Sequence, residues 1–462
     1  MNNNVVNILL TILCVVFLLF PEIKLQIVFV TWILLMVYSL TSIEKRLTLF
    51  AFYLALFTFL LTRLIIPLFY SNEYTQTALF YTMTFSDGAY EFISNSIMTV
   101  LVASYLGFIY VKQEIFDGIG FNPSDRYVQR IKNITKKLVY FTSFFCLYNI
   151  LEKIYHVGTN GYTELYLTYK SSLPSIFIKF TNMYTLVFYI FLATLPSKKE
   201  AKWPFIIYLL LGSLSLLTGQ RGEFVLNCIL LVIYFFLRNM LNPNDLWIGK
   251  RGKLMLLISV PALCALMFIV MLIRGGKSAS DYDLASLFID FFFQQGSSMQ
   301  VVGLVYDAQN VIPQYKFYSF GEIIDNYYNN FIFHMLGIAK AYKSQTVEFA
   351  VEGHSLANFL TYTFQPERFL DGGGMGSSFI AEVWNDFGYI GLFVWSYMYG
   401  VILSKFYVWA HRNMWMLGLS FFMVVGIVYS PRASAISFIS DILSPTNLLV
   451  IFLIHKYGKK LS

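Results

Sequence analysis

Charged side chains are scarce in this chain. Asp, Glu, Lys and Arg make up 13% of its 462 residues, where soluble domains carry about 25%. So few charges cannot cover a water-facing surface of ordinary polarity, which excludes a soluble enzyme. Cysteine is scarcer still. The four, Cys14, Cys146, Cys228 and Cys264, stand singly inside apolar runs with no CxxC spacing. They read as small buried hydrophobes, not as a zinc site, a redox pair or a disulfide scaffold. No HExxH pattern, Cys/His cluster, Walker loop or nucleophile elbow occurs, so the sequence points to no metal, no nucleotide and no other cofactor. The net charge of +7 is spread in short clusters between apolar runs. That excludes the single basic patch of a nucleic-acid partner.

What the chain has instead is apolar length. Hydrophobic residues make up 57% of it, and its mean hydropathy of +0.61 points to lipid as the main solvent and excludes disorder. Aromatic residues are abundant, with 46 Phe, 33 Tyr and 7 Trp. Tyr and Trp suit the membrane–water interface, where one end of the ring stays wet, and some of these rings also suit stacking against a sugar.

A spanning helix needs about 20 apolar residues. Such runs lie at 5–20, 25–40, 47–70, 92–111, 138–151, 176–195, 203–217, 224–237, 254–273, 390–410, 415–429 and 442–454. They predict an all-α integral membrane protein with about 12 transmembrane helices. The first run is read as a helix and not as a signal peptide, because residues 1–4 carry no positive side chain and no small-residue cleavage site follows Phe20. Basic residues follow every even-numbered run: Lys45 and Arg46; the 112–137 segment; Lys198, Lys199 and Lys202; Arg238, Lys250, Arg251 and Lys253; Lys405 and Arg412; Lys456, Lys459 and Lys460. These loops are therefore assigned to the cytoplasm together with both termini.

The ninth exit opens a segment of roughly 100 residues, too long for a structureless connection. The chain thus divides into helices 1–9 over residues 1–273, a long outer loop over 274–383, and helices 10–12 over 384–462. Within the loop, 283–293 and 323–342 carry helical apolar spacing rich in Tyr and Phe, as interfacial helices do. No internal repeat relates the two halves, which counts against a transporter built on duplicated halves.

Arginines break the charge bias on the outer side. Arg221, Arg274 and Arg432 each stand at an outer helix end. Arg63 lies some ~24 Å along an outward-running helix by rise per residue. A guanidinium binds phosphate oxygens with a planar fork and sheds water more readily than an ammonium, so these residues suit an anionic ligand held at the outer surface. The bland alternative is snorkelling to headgroups, or a local pair such as Arg221 with Glu223. A second constellation is the stretch 371–382, Asp-Gly-Gly-Gly-Met-Gly-Ser-Ser-Phe-Ile-Ala-Glu. Gly373, Gly374 and Gly376 let backbone N–H groups approach a ligand, Ser377 and Ser378 are placed to cap the following helix, and Glu382 falls in its first turn. Without a ligand the same stretch is a glycine turn leading into helix ten. Candidate general bases are His354, Asp371 and Glu382, and the sequence does not rank them.

The multi-span aromatic plan, the late outer loop, the motif Thr218-Gly-Gln-Arg221-Gly-Glu, and the stretch 372–382 leading into Asn385-Asp-Phe-Gly-Tyr-Ile-Gly391 together carry a resemblance. The chain resembles bacterial O-antigen polymerases of the Wzy type, which are related in plan to O-antigen ligases and to GT-C glycosyltransferases. The plan covers nearly the whole chain, and the motifs about two dozen residues of it. The resemblance implies a glycosyltransferase in the bacterial inner membrane, working at the periplasmic face. Its donor would be a growing glycan on undecaprenyl diphosphate, and its acceptor one further lipid-linked repeat unit. Undecaprenyl diphosphate would leave without help from a metal, and a chain-length regulator is an implied partner. An O-antigen ligase with lipid A core as acceptor ranks second. A lipid-linked oligosaccharide flippase ranks third, since it would need charges at mid-membrane depth. A purely structural scaffold leaves the outer arginines and the long loop unexplained.

Overall fold

Backbone N–H and C=O groups find no water in hydrocarbon, so apolar runs of this length satisfy them internally by coiling into helices. The computed structural model describes residues 2–70, 85–111, 120–256, 258–259, 265, 284–328, 335–337 and 342–460, and these contain helices and no strand. Eight helices are long and apolar enough to cross a membrane: Pro21–Leu40, Ile43–Pro67, Asp87–Tyr110, Ser175–Ala193, Lys198–Leu217, Arg221–Leu241, Phe379–Arg412 and Met414–Arg432. A ninth is the pair Ser437–Leu443 and Pro445–Lys459, bent by 62°.

Two expected spans take other forms, and a third falls almost wholly outside the described residues. The first is the 17-residue helix Asn3–Leu19. One side of it is bare, with Ile8 61%, Ile12 53% and Leu18 76% exposed, the pattern of a helix facing lipid. The run at 138–151 lies inside a 35-residue helix, Arg126–Asn160, whose Lys- and Arg-rich first third dilutes its hydropathy. The run at 254–273 lies almost wholly outside the described residues, as do Arg274 and Cys264.

Two compact units divide the chain. The first contains residues 1–114, 284–405 and 426–438. Its helices pack closely: a side chain at Gly107 would strike the Tyr397 carbonyl, and one at Gly400 the Ser104 carbonyl, so these two positions require glycine for backbones to touch. The Thr48 hydroxyl donates to the Leu403 carbonyl at 2.9 Å, a buried bond between helices. The segment 284–370 contributes short helices to this unit: Leu284–Gln295, Ser298–Asp307, Gly321–Tyr328, Val347–Glu352, Leu356–Phe364 and Pro366–Leu370. The first and third of these fall where the sequence places interfacial helices. Residues 329–334 and 338–341 of the second expected helix lie outside the described residues.

The second unit contains residues 115–283, 406–425 and 439–462. Aromatic contacts bind it, with Phe188 stacked on Tyr208 at 4.1 Å and Phe145 on Phe177 at 4.9 Å. Its Lys198–Leu217 helix opens with a capping box between Ser197 and Glu200, and Glu200 also pairs with Lys132 at 2.7 Å.

Helix ten starts at Phe379, directly after Ser377 and Ser378 where the sequence places it, with Glu382 in its first turn. What the sequence does not foretell is its break at Gly388, where φ is 63°. Asn385 and Asp386 fall inside this helix, ahead of the break. Asp386 accepts the Ser319 N–H at 2.7 Å and the Ser319 hydroxyl at 2.5 Å.

Candidate functional site

The glycine-rich stretch is held from one side by Arg368 in the first unit. That arginine donates to Gln365 Oε1 at 2.9 Å and to the Gly374 carbonyl at 3.3 Å, while its own carbonyl accepts the Gly373 N–H at 2.8 Å. Met375 N–H donates to Thr361 Oγ1 at 3.2 Å. A Cβ on Gly373 would collide with Arg368, whereas at Gly374 and Gly376 it would meet nothing within 4 Å. Gly376 holds φ at 80°, a conformation that side chains resist. The stretch therefore turns sharply and leaves its exposed backbone open.

Glu382 is the hub of this region. It sits in the first turn of the Phe379–Arg412 helix with only 3% of its surface exposed. Ser377 Oγ donates to its Oε1 at 2.6 Å, and Ser434 Oγ and the Ala435 N–H donate to Oε2 at 3.0 and 2.8 Å. One carboxylate thus clasps the end of the glycine stretch to the turn that follows Arg432. The Tyr399 hydroxyl holds the same turn from below, donating to the Ala435 carbonyl at 2.5 Å. Ser378, expected as a cap, gives its carbonyl to the Glu382 N–H at 3.2 Å. Its hydroxyl is buried with no partner among the described residues.

Arg432 closes a short 3-10 turn, Ser430–Arg432. Its guanidinium donates to the Gln295 carbonyl at 3.2 Å and lies 5.6 Å from the Phe59 ring. Arg63, 6% exposed, places its guanidinium 5.1 Å from the Phe293 ring. Its backbone packs on Gly296. Both arginines therefore meet the C-terminal end of the Leu284–Gln295 helix, where carbonyls and the helix dipole favour cations. Arg432 as a residue stays partly exposed.

His354 has a partner that the sequence reading missed. Its Nδ1 is 3.0 Å from Asp325 Oδ1, and its backbone N–H donates to both Asp325 oxygens at 3.2 and 3.1 Å. The ring stacks on Tyr328 with 6.0 Å between centroids. Lys316 braces the approach by donating to the Val351 and Gly353 carbonyls. Burial lowers the pKa of its ammonium, and Asp325 and Glu352 act in the opposite direction. A carboxylate on one imidazole nitrogen orients the ring, the arrangement a general base needs.

The other expected residues fall elsewhere. Asp371 is exposed after the Pro366–Leu370 helix and takes no part in the clasp. Arg221 begins the Arg221–Leu241 helix in the second unit, after the turn at Gly219, where φ is 82°. Ser434 and Ala435 were legible only as neighbours of Arg432. Nothing in the sequence marks Asp325 as the partner of His354, 29 positions away.

Comparison with known families matches this chain to the O-antigen polysaccharide polymerase Wzy over residues 3–461. The chain belongs to that family, and it is a multi-helix membrane protein that polymerises O-antigen. Neither the curated proteins nor the solved structures contain a match to it.

Proposed function

We propose that this polymerase joins glycans carried on undecaprenyl diphosphate at the periplasmic face of the inner membrane, by glycosyl transfer without a metal. The terminal hydroxyl of one lipid-linked repeat unit attacks the anomeric carbon of the growing chain. A C–O bond forms there as the bond from that carbon to the diphosphate oxygen breaks. The electron pair leaves with undecaprenyl diphosphate, and the hydroxyl proton passes to His354, which Asp325 orients. Charge develops on the departing diphosphate, and fixed guanidinium and N–H groups stabilise it there. Arg432, Arg63 and the open backbone of Gly374, Gly376 and Ser377 fill that role in the first unit, with Arg221 and Arg274 as further anion-binding groups. In this reading the segment 274–383 is the outer loop; it carries His354, Asp325, Arg274 and the glycine-rich backbone, while Arg63, Arg221 and Arg432 come from helix ends outside it.

The observation that carries this reading is the Glu382 clasp, which ties an open, glycine-rich backbone to the turn bearing Arg432. Its buried position and three donors make Glu382 a positioning residue in this scheme, not the base.

The test is the lipopolysaccharide ladder of a deletion strain complemented with wild type, Arg221→Ala, Arg274→Ala, Arg432→Ala or His354→Ala, with membrane levels matched. Core bearing one repeat unit and no ladder is the expected phenotype of the variants. Core bearing no repeat in the deletion strain would overturn polymerisation in favour of ligase or flippase. Full ladders from Arg432→Ala and His354→Ala would remove the site.

A further inference from the structure

A cavity of about 440 Å³ lies in the first unit, lined by Gln309, Asn310, Gln314, Trp384, Asn385 and Tyr389 with the break at Gly388 and by none of the arginines named above. Its volume is within the range of ligand sites, roughly 300–1,000 Å³. Its chemistry is distinctive: none of these side chains carries a charge. Four carry amides, each able to donate and accept, and two are amphipathic rings.

The fold builds this lining deliberately. Asp307 fixes the end of the Ser298–Asp307 helix by accepting from Ser86 Oγ at 2.5 Å, which sets the position of Gln309 and Asn310 just beyond it. Trp384 is wedged against Phe92 at 4.3 Å and Tyr306 at 6.1 Å, with Tyr389 at 6.3 Å. Gln314 spends its NH₂ on the Ile312 carbonyl at 3.2 Å, which leaves its Oε1 to accept. Asn385 donates to Asp386 at 3.1 Å, which leaves its own Oδ1 free in the same way. Gln309 and Asn310 are exposed, and their amides take no partner among the described residues. Turning the chain at Gly388 brings Tyr389 alongside Trp384 instead of letting the helix run on straight.

We infer that this cavity is a subsite for an uncharged pyranose ring of the glycan, with the ring packed against Trp384 or Tyr389 and its hydroxyls bonded to the amides of Gln309, Asn310, Gln314 and Asn385. Sugar hydroxyls are neutral donor–acceptors, as amides are, and their C–H faces match an aromatic surface. A diphosphate would find no cation here. The inference rests on the polymerase reading and assigns the sugar and the diphosphate to different residues. Trp384 and Asn385 follow Glu382 by two and three positions, so one short helical segment supports both.

The test uses full-length protein in nanodiscs and two probes. One is the repeat-unit oligosaccharide of the native host, released from its lipid diphosphate by mild acid; the other is undecaprenyl diphosphate alone. The variants are Gln309→Ala/Asn310→Ala, Trp384→Leu and Arg432→Ala. Removing two hydrogen bonds of ordinary strength weakens oligosaccharide binding about tenfold. The double variant and Trp384→Leu are expected to show at least that loss with undecaprenyl diphosphate binding unchanged, and Arg432→Ala the reverse. Oligosaccharide binding is also expected to be indifferent to salt, since no charge takes part. Oligosaccharide binding that is absent from wild type, or equal in wild type and in Gln309→Ala/Asn310→Ala, overturns the subsite. Arg432→Ala that loses the ladder while Gln309→Ala/Asn310→Ala keeps a full one also overturns it, with the polymerase site left standing. A full ladder from Arg432→Ala removes the diphosphate site instead, whatever the oligosaccharide does.

Discussion

At the scale of single residues, the proposed scheme gives Glu382 and His354 opposite duties. Glu382 is buried among three donors, so Glu382→Ala leaves those donors unsatisfied and opens a void. We expect a loss of about 3 kcal/mol in stability, read as a lower melting temperature in detergent, along with loss of the ladder. Glu382→Gln keeps the shape and one acceptor and should fall between the two. His354 is only partly buried, 24% exposed on its side chain, beside Asp325 at 16%. His354→Ala should therefore leave the melting temperature nearly unchanged while slowing transfer about 10²–10⁴-fold. Asp325→Asn should slow it less. A melting temperature that drops as far in His354→Ala as in Glu382→Ala would make the histidine structural. The sequence made Arg432, His354 and Glu382 visible because each type is unusual in its place. Their partners were not visible, because Ser434 lies 52 positions from Glu382 and Asp325 lies 29 from His354, and hydroxyls and carboxylates in loops look alike until the chain folds.

At the scale of elements, the informative piece is the segment from Phe379 to Gly388. The apolar run of helix ten begins only at residue 390, yet Ser377, Ser378 and Glu382 marked an earlier helix start by their capping and first-turn chemistry. The helix does start there, at Phe379, with Asp386 held by Ser319. It then breaks at Gly388 with φ at 63°, which the sequence offered only as a glycine. A Cβ there meets no neighbour, so Gly388→Ala isolates the backbone cost, about 1–2 kcal/mol. The expected outcome is a normally inserted protein with a modestly lowered melting temperature and a weaker ladder, because the helix relaxes towards straight and moves Tyr389 away from Trp384. An unchanged ladder would show that the break has no part in polymerisation.

At the scale of the whole molecule, eleven of the twelve apolar runs fall in described helices, eight or nine of them fit for spanning, and the run at 254–273 lies almost wholly outside the described residues. Asn3–Leu19, at 17 residues, is shorter than the ~20 of a typical span, yet its exposed leucines and isoleucines have no place in water. Arg126–Asn160 hides an apolar run behind a basic first third. Alternating basic loops assign the two sides of the membrane, and that assignment is open to direct measurement. In a cysteine-free background, Tyr315→Cys, at a residue 81% exposed, should react with an impermeant maleimide in spheroplasts. Asn244→Cys, in the loop after Arg221–Leu241, should react only after lysis. Reversed labelling would move the arginines to the cytoplasmic side and end the proposed chemistry.

The most direct test of the central claim is reconstitution. Purified protein in proteoliposomes would receive undecaprenyl-diphosphate-linked repeat units, and polymer linkages and free undecaprenyl diphosphate would be counted over time. The account predicts one undecaprenyl diphosphate released for each linkage formed, with both lost together in Arg432→Ala and His354→Ala. Polymer formed without release of the lipid diphosphate, or formed at the wild-type rate by both variants, would contradict it.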